Sequence, residues 1–349
     1  MEKTLGTLID TMISERASDI HFSVNMKPLL RVNGELIAVT DGPLLDADSI
    51  KSMISILGGE RVYKKFNDTF EADFAYTHKN SWRLRGNAFM QKGLPSFTLR
   101  LIPEVQSLKD LQLPPILETF AMARQGFFLV VGPVGQGKST TLASMVEIIN
   151  NKRAAHILTV EDPIEYIYTQ KKSLIHQREA GIDTVDFPTA LNAAFREDVN
   201  VILIGEMRDK QTIATAVTAA ETGHLVLATL HTNNAAQTID RIIDSFPAEQ
   251  QEQVRLQLAS SLLGIFSQRL IPKISGGRIP AYELLINTPA VANLIREKRT
   301  HEVGVVIETS FEAGMVDLNR SLMELIRAGE ITMESAMQYS NNPRGLQKQ

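Results

Sequence analysis

Gly132-Pro133-Val134-Gly135-Gln136-Gly137-Lys138-Ser139 fits the pattern G-x-x-x-x-G-K-[ST], and the rest of the chain is read outward from it. The apolar run 127–131 precedes it, and Leu142, Met145, Val146 and Ile149 follow at helical spacing. A buried strand therefore leads into the loop and an amphipathic helix leaves it. In that setting the glycines let backbone N–H groups converge on phosphate oxygens, and the helix N-terminus adds partial positive charge. Lys138 is long enough to reach outer phosphates, and the Ser139 hydroxyl is a ligand for Mg²⁺. A chance glycine-rich turn would carry neither the strand before it nor the helix after it.

Downstream the pattern is α/β. Strands at 127–131, 157–160, 201–204 and 225–230 alternate with helical segments near 139–150, 188–197 and 209–222, the signature of a parallel sheet covered on both faces. The part after about residue 247 reads as largely helical. There Thr288-Pro289 is a cap followed by proline at the first helical position, and Leu318, Leu322, Leu325 and Ile326 mark a helix that stops at Gly329.

Three clusters fall at strand ends, where open parallel sheets bind ligands. In Val160-Glu161-Asp162-Pro163-Ile164-Glu165-Tyr166, Pro163 ends the strand and leaves Glu165 in a loop. A carboxylate there can orient an attacking water, although Asp and Glu beside Pro are also ordinary loop residues. In Val201-Ile202-Leu203-Ile204-Gly205-Glu206-Met207-Arg208-Asp209, buried apolar residues end in an acid, as in a Walker B strand whose carboxylate holds Mg²⁺ directly or through water. With the phosphate loop upstream, both parts serve one Mg²⁺-nucleotide. In the third cluster, His224 and His231 fall on opposite faces of a straight strand and cannot share a ligand. His231, at the C-terminal end, is the functional candidate, and the spacing offers no histidine metal centre.

Residues 1–100 read as a separate α+β domain. Leu5, Leu8, Ile9, Met12 and Ile13 mark a first helix, and an extended run follows at 20–24. Strands at 29–32 and 35–39 flank Asn33-Gly34, a strong hairpin signal. Helices are expected from 46 to about 57 and at 61–66, then a strand at 70–76 and hairpins turning near Lys79-Asn80 and Lys92-Gly93. In Trp82-Arg83-Leu84-Arg85-Gly86-Asn87 the period of two sets Arg83, Arg85 and Asn87 opposite Trp82 and Leu84. Arg100 likewise faces away from Leu99 and Leu101. A solvated face accounts for any one arginine, whereas three on adjacent strands point to a face that meets phosphate or carboxylate. Residues 101–115, with prolines at 103, 114 and 115, read as a linker, 116–349 as the second domain, and the polar stretch 341–349 as lacking fixed structure.

Composition narrows the classes. A chain of 349 residues is long enough for about two or three domains. Its net charge of −4, with acids and bases interspersed, implies neither a nucleic-acid nor an anionic-membrane surface. The absence of cysteine removes disulfides and thiolate metal sites. The N-terminus opens directly into an amphipathic pattern and no apolar stretch approaches a membrane span, so a soluble intracellular protein is expected.

Assembled, these residues resemble the type IV pilus retraction ATPases, the twitching-motility PilT family of secretion-type motors, over nearly the whole chain. The stretch 132–141 is similar to that family's Walker A, Glu161-Asp162-Pro163-Ile164-Glu165 to its aspartate box, Gly205-Glu206-Met207-Arg208-Asp209 to its Walker B and 221–232 to its histidine box. The resemblance implies an N-terminal PAS-like domain, a RecA-like P-loop NTPase domain with a helical C-terminal portion, and a homohexameric ring hydrolysing ATP with Mg²⁺. It implies ATP contacts from Gly132, Pro133, Val134, Gly135, Gln136, Gly137, Lys138, Ser139 and Thr140, with Mg²⁺ at Ser139 and Glu206. Glu165 matches the family's base, His231 belongs to its histidine box, and Arg85 and Arg100 match N-terminal arginines that reach the nucleotide. It further implies a cytoplasmic motor at the inner membrane, on a pilus platform protein and beside a paralogous accessory ATPase, with no nucleic-acid partner. Val134 and Gln136 stand where family loops usually read Thr and Ser, and Ala292 stands where the retraction-linked helix motif has arginine. That last departure bears on the strength of retraction rather than on hydrolysis. Three rivals are weighed against this reading. Absent cysteines and a short N-terminal region count against an assembly or type II secretion ATPase, occupied catalytic positions against a non-hydrolysing accessory regulator, and acidic net charge against a nucleic-acid translocase.

Overall fold

The computed structural model describes residues 1–32, 34–79, 82–102 and 104–346. The chain divides into two compact units, Met1–Glu104 with Pro163–Ile167, and Val105–Asp162 with Tyr168–Gln349.

The first unit opens with α1 (Glu2–Ser14), whose buried Leu5, Leu8, Ile9 and Met12 recur on one helical face. Strands β1 (Asp19–Ser23), β2 (Leu29–Val32), β3 (Glu35–Ala38), β4 (Glu71–His78), β5 (Trp82–Gln91) and β6 (Leu94–Ile102) form an antiparallel sheet in the order β3-β2-β1-β6-β5-β4. Between β3 and β4 lies α2 (Ala47–Thr69), capped by Asp46, which accepts from the Ser49 N–H. Gly59, at φ 68 and ψ −174, breaks α2 into the two helical pieces its sequence suggests. Lys92 and Gly93 both have positive φ, the geometry that joins β5 to β6 in a tight hairpin. The turns expected at Asn33-Gly34 and Lys79-Asn80 include Asn33 and Asn80, which lie outside the described residues. On β5, Leu84, Gly86 and Ala88 are buried while Arg85 and Asn87 are exposed, as the pleat requires.

The second unit starts by packing Leu108 and Leu113 into a core with Phe120 and Phe128. Of the stretch 101–115, Leu101 and Ile102 complete β6, Pro103 lies outside the described residues, and the remainder is thus partly core. Then follow α3 (Ile116–Ala121), β7 (Gly126–Val131), α4 (Lys138–Lys152), β8 (His156–Glu161), β9 (Leu174–Glu179), α5 (Phe187–Ala194), β10 (Val201–Ile204), α6 (Lys210–Glu221), β11 (Leu225–Leu230), α7 (Ala235–Asp244) and α8 (Ala248–Ser261). Next come β12 (Leu262–Pro272), β13 (Arg278–Ile286), α9 (Pro289–Arg296), α10 (Val303–Thr309), α11 (Leu318–Arg327), α12 (Met333–Tyr339) and α13 (Pro343–Leu346). The sheet order is β13-β12-β7-β11-β10-β8-β9, parallel except for β13. Phe127, Leu129 and Val131 pack on one face with Ile239 and Ile242 of α7, and Phe128 and Val130 on the other with Leu142 and Met145 of α4. Burying such a side chain contributes roughly 1.5–3 kcal/mol, so two covered faces explain why β7, β10 and β11 are buried at every position and almost wholly apolar.

Three expectations are corrected. The portion after about residue 247 carries α8 to α13 but also the strands β12 and β13, which were not anticipated. Strand β12 is buried on both faces, so it shows no period of two and cannot be told from a buried helix by pattern. Strand β9 was not anticipated, since Leu-Ile-His-Gln-Arg-Glu is a mostly polar edge strand. Within 341–349, α13 is ordered and Leu346 is buried with Leu322 and Ile331, while 347–349 lie outside the described residues. No helix among the described residues is long and apolar enough to cross a membrane.

Candidate active site

Strand β7 delivers the chain into the phosphate loop against β12. Gly132 has φ 146, and a Cβ there would lie 2.5 Å from the backbone oxygen of Gln268. At Gly137, φ is 79 and a Cβ would lie 2.9 Å from the Gln268 side-chain nitrogen. Both positions therefore demand glycine. Gly137 is the N-cap of α4, Lys138 its first residue, and the exposed Ser139 and half-buried Thr140 complete the first turn. Pro133 is half-buried, Val134 and Gly135 crown the loop, and Gln136 turns back toward β12.

Lys138 is buried, and its Nζ donates to Gly132 O at 2.8 Å and Pro133 O at 2.9 Å. It also lies 3.1 Å from His231 Nδ1. An ammonium has donors only, so Nδ1 is the acceptor and the imidazole proton sits on Nε2. That nitrogen faces Glu206 Oε1 at 3.1 Å, and Glu206 Oε2 accepts from Arg208 Nη2 at 2.7 Å. Lys138, His231, Glu206 and Arg208 thus form one hydrogen-bonded chain. Burial pushes the Glu206 pKa up, but the Arg208 hydrogen bond and the His231 imidazole outweigh it and hold the carboxyl below its ordinary 4.5. Glu206 is therefore ionised at neutral pH.

The topology explains this meeting. Strands β10 and β11 are parallel with Ile204 opposite Ala228, so Glu206 and His231 leave the same edge of the sheet. Thr229 Oγ1 donates to Gly205 O at 2.6 Å, tying the two strand ends. His224 sits at the far end of β11, its Nδ1 3.1 Å from Ala219 O, and takes no part in the cluster. Glu161 closes β8 and accepts from Thr159 Oγ1 at 2.7 Å, while Asp162 is exposed.

Glu165 belongs to the first unit. Its Oε1 accepts from Arg85 Nη1 at 2.8 Å, and Arg83 donates from Nε and Nη2 to Ile164 O at 3.2 and 3.1 Å. Arg100 pairs through Nε with the buried Asp19 at 2.8 Å. Arg85 and Arg100 are directly opposite in the β5–β6 register, where like charges repel, and each has its own carboxylate.

Sequence reasoning missed Gln268, Arg269 and Glu283, all on β12 and β13. Gln268 Nε2 donates to Gln136 O at 2.7 Å, and its Oε1 accepts from Thr141 Oγ1 at 2.6 Å. Arg269 Nη2 donates to Asn233 O at 2.9 Å, two residues past His231. Glu283 accepts from the Ala235 N–H at 2.8 Å. The available signal was the Gly276-Gly277 turn, with φ 88 and 76, which divides two apolar runs of hairpin length.

A phosphate loop on a parallel sheet, with a buried lysine and an ionised strand-end glutamate, defines a P-loop ATPase. The chain belongs to the type II/IV secretion system protein family, whose model matches residues 1–337, and within it to the retraction ATPases. It is 42% identical over 331 residues to the type IV pilus retractation ATPase PilT of Pseudomonas aeruginosa, covering 95% of this chain and 96% of that one. A twitching motility protein of Neisseria gonorrhoeae is 44% identical over 321 residues, covering 91% and 86%. Among solved structures, the pilus retraction motor PilT with bound ADP superposes with a TM-score of 0.91 at 43% identity, covering 99% of both chains.

Proposed function

We propose that this chain is the ATP-hydrolysing motor of type IV pilus retraction, working as a homohexamer on the cytoplasmic side of the inner membrane. The names of its relatives support the pilus role, and the Lys138–His231–Glu206 chain beneath the phosphate loop is the observation that carries the chemistry. On this reading the second unit is RecA-like and the first PAS-like, with a pilus platform protein and a paralogous accessory ATPase as partners.

The loop amides of 132–139, with Thr140, cradle the phosphates of ATP, and Lys138 exchanges its carbonyl partners for phosphate oxygens. Glu165 orients water for in-line attack on the γ-phosphorus and takes its proton as the bond to the bridging oxygen breaks. Lys138, Arg85 and Arg100 offset the charge that develops on the phosphate oxygens. His231 senses that charge through Lys138 and Glu206. The donor set also fits Mg²⁺, a hard cation that keeps waters and substrate oxygens as ligands and needs few protein groups. Ser139 and the ionised Glu206 would hold it, and it would supply electrostatic stabilisation of the phosphates.

The test is phosphate release from ATP by the purified chain and by Lys138→Ala and Glu165→Gln, with particle mass measured alongside. Each variant should lose about 10²-fold or more in turnover, the scale of a lost transition-state contact. A monomer whose turnover neither substitution changes would sink the motor reading.

A further inference from the structure

Strand β12 carries three consecutive buried polar residues, Ser267, Gln268 and Arg269, and the pleat sends Gln268 to one face of the sheet and Ser267 and Arg269 to the other. Gln268 shares a face with Phe266, which packs in the same core as Leu142 and Met145 of α4. Its amide is used at both ends, the nitrogen on Gln136 O and the oxygen on the Thr141 hydroxyl, so it straps the phosphate loop to the first turns of α4. Gln136 returns the contact, its Oε1 accepting from Leu270 N at 2.6 Å. Strand β7 pairs with β12 only as far as Val131 opposite Ser267, so the Gln136 side chain extends the ladder where β7 has turned away.

The other face holds the loop that follows His231. Arg269 Nη2 donates to Asn233 O at 2.9 Å and to Asn233 Oδ1 at 3.2 Å. Ser267, two residues back on the same face, donates from Oγ to Asn233 O at 2.9 Å. Glu283, opposite Ser267 on β13, accepts from Ala235 N at the start of α7. Arg269 Nη1 donates to Gln268 O at 3.1 Å on its own strand, so the buried guanidinium is anchored on β12 and its Nη2 fixes the Asn233 segment, because leaving those donors unmet in the interior is costly.

We infer that Gln268 and Arg269 are positioning residues, Gln268 for the phosphate loop and Arg269 for His231, so that one strand sets the spacing between the cradle of the nucleotide and the histidine beside it. The idea rests on the reading of 132–139 as the ATP loop, and it adds that the two loops are held separately, from two faces.

The two halves predict different kinetics. Gln268→Met keeps the length and apolar contacts of the side chain but removes both hydrogen bonds. Its affinity for the Mg²⁺ complex of a non-hydrolysable ATP analogue should fall about tenfold, the scale of one or two lost hydrogen bonds, a larger factor than the loss in kcat. Thr141→Val removes one of those bonds from the α4 side and should shift affinity in the same direction by a smaller factor. Arg269→Met should instead lower kcat about tenfold with analogue affinity unchanged, and Arg269→Lys, which can still donate to Asn233 O, should recover part of the lost turnover. Thermal unfolding and particle mass are followed for every variant. Wild-type affinity in both Gln268→Met and Thr141→Val, or parallel losses of affinity and kcat in the Gln268 and Arg269 variants, would overturn the proposal. Failure of the parent chain to bind the analogue at all would overturn the nucleotide reading beneath it.

Discussion

Replacing Glu283 by glutamine should stabilise this protein above neutral pH and do little in mild acid. Glu283 lies half-buried on β13, its carboxyl enclosed by protein, with the Ala235 N–H on one oxygen at 2.8 Å. Burial is the largest influence on it, Asp317 adds a like charge, and the Ala235 hydrogen bond and the charge of Arg269 only partly offset them. The carboxyl is pushed up from its ordinary 4.5 to about 7. Between those two values the folded chain keeps a proton that the unfolded chain releases, so the contribution is present in full below 4.5 and is lost as pH rises through about 7. The interval corresponds to about 3 kcal/mol at 1.36 kcal/mol per pH unit. Glutamine keeps the acceptor for Ala235 and never ionises. Glu283→Gln should therefore match the parent at pH 5 within about 1 kcal/mol and exceed it at pH 8 by up to about 3 kcal/mol. Urea unfolding at several pH values, followed by far-ultraviolet circular dichroism, is the suitable assay, because the lone tryptophan, Trp82, lies in the first unit. Parallel stability curves for parent and variant from pH 5 to 8 would refute the reasoning.

Two further outcomes follow from contacts in each unit. Arg85→Ala should lower ATP turnover more than nucleotide affinity, and should change stability by less than about 1 kcal/mol, since its pair with Glu165 is part-exposed; parent-like turnover would assign the arginine to solvent. Gly132→Ala should weaken ATP binding about tenfold or more, because its φ of 146 and a Cβ 2.5 Å from Gln268 O force the loop to move. Gly135→Ala, where a Cβ meets nothing within 4 Å, is the control and should cost less in the same binding assay.

The phosphate loop was legible because its meaning is local. Glycines at fixed offsets, an apolar strand before and a helix after leave one reading, and the three positive φ values at Gly132, Gly135 and Gly137 are what those glycines are for. Strands β7, β10 and β11 were legible for a related reason, as short apolar runs bounded by polar turns. The strap on that loop was not. Nothing in Ser267-Gln268-Arg269 says that three polar residues will be buried in a sheet, and burial on both faces erased the periodicity that would have named the strand. The arginines show the same limit differently. A period of two placed Arg83, Arg85 and Arg100 on one face, yet their partners Ile164, Glu165 and Asp19 come from distant sequence and could not be paired by pattern.

The two sets of charged groups also differ in what it takes to rearrange them. Lys138 is buried with its donors on Gly132 O, Pro133 O and His231, and moving it without a replacement acceptor leaves buried donors unmet at about 1–3 kcal/mol each. Only a group as rich in acceptors as a polyphosphate can draw it away, which favours exchange with nucleotide over idle fluctuation. The Arg85–Glu165 pair is part-exposed, and such pairs contribute about 0–1 kcal/mol. Both members are proposed to act on the γ-phosphate and its attacking water, and neither can do so while fully engaged with the other. A weak pair suits that requirement, because water can take the place of either partner at little cost. The buried chain thus resists motion until phosphate arrives, while Arg85 and Glu165 are held in ordered positions by a contact that is easily given up.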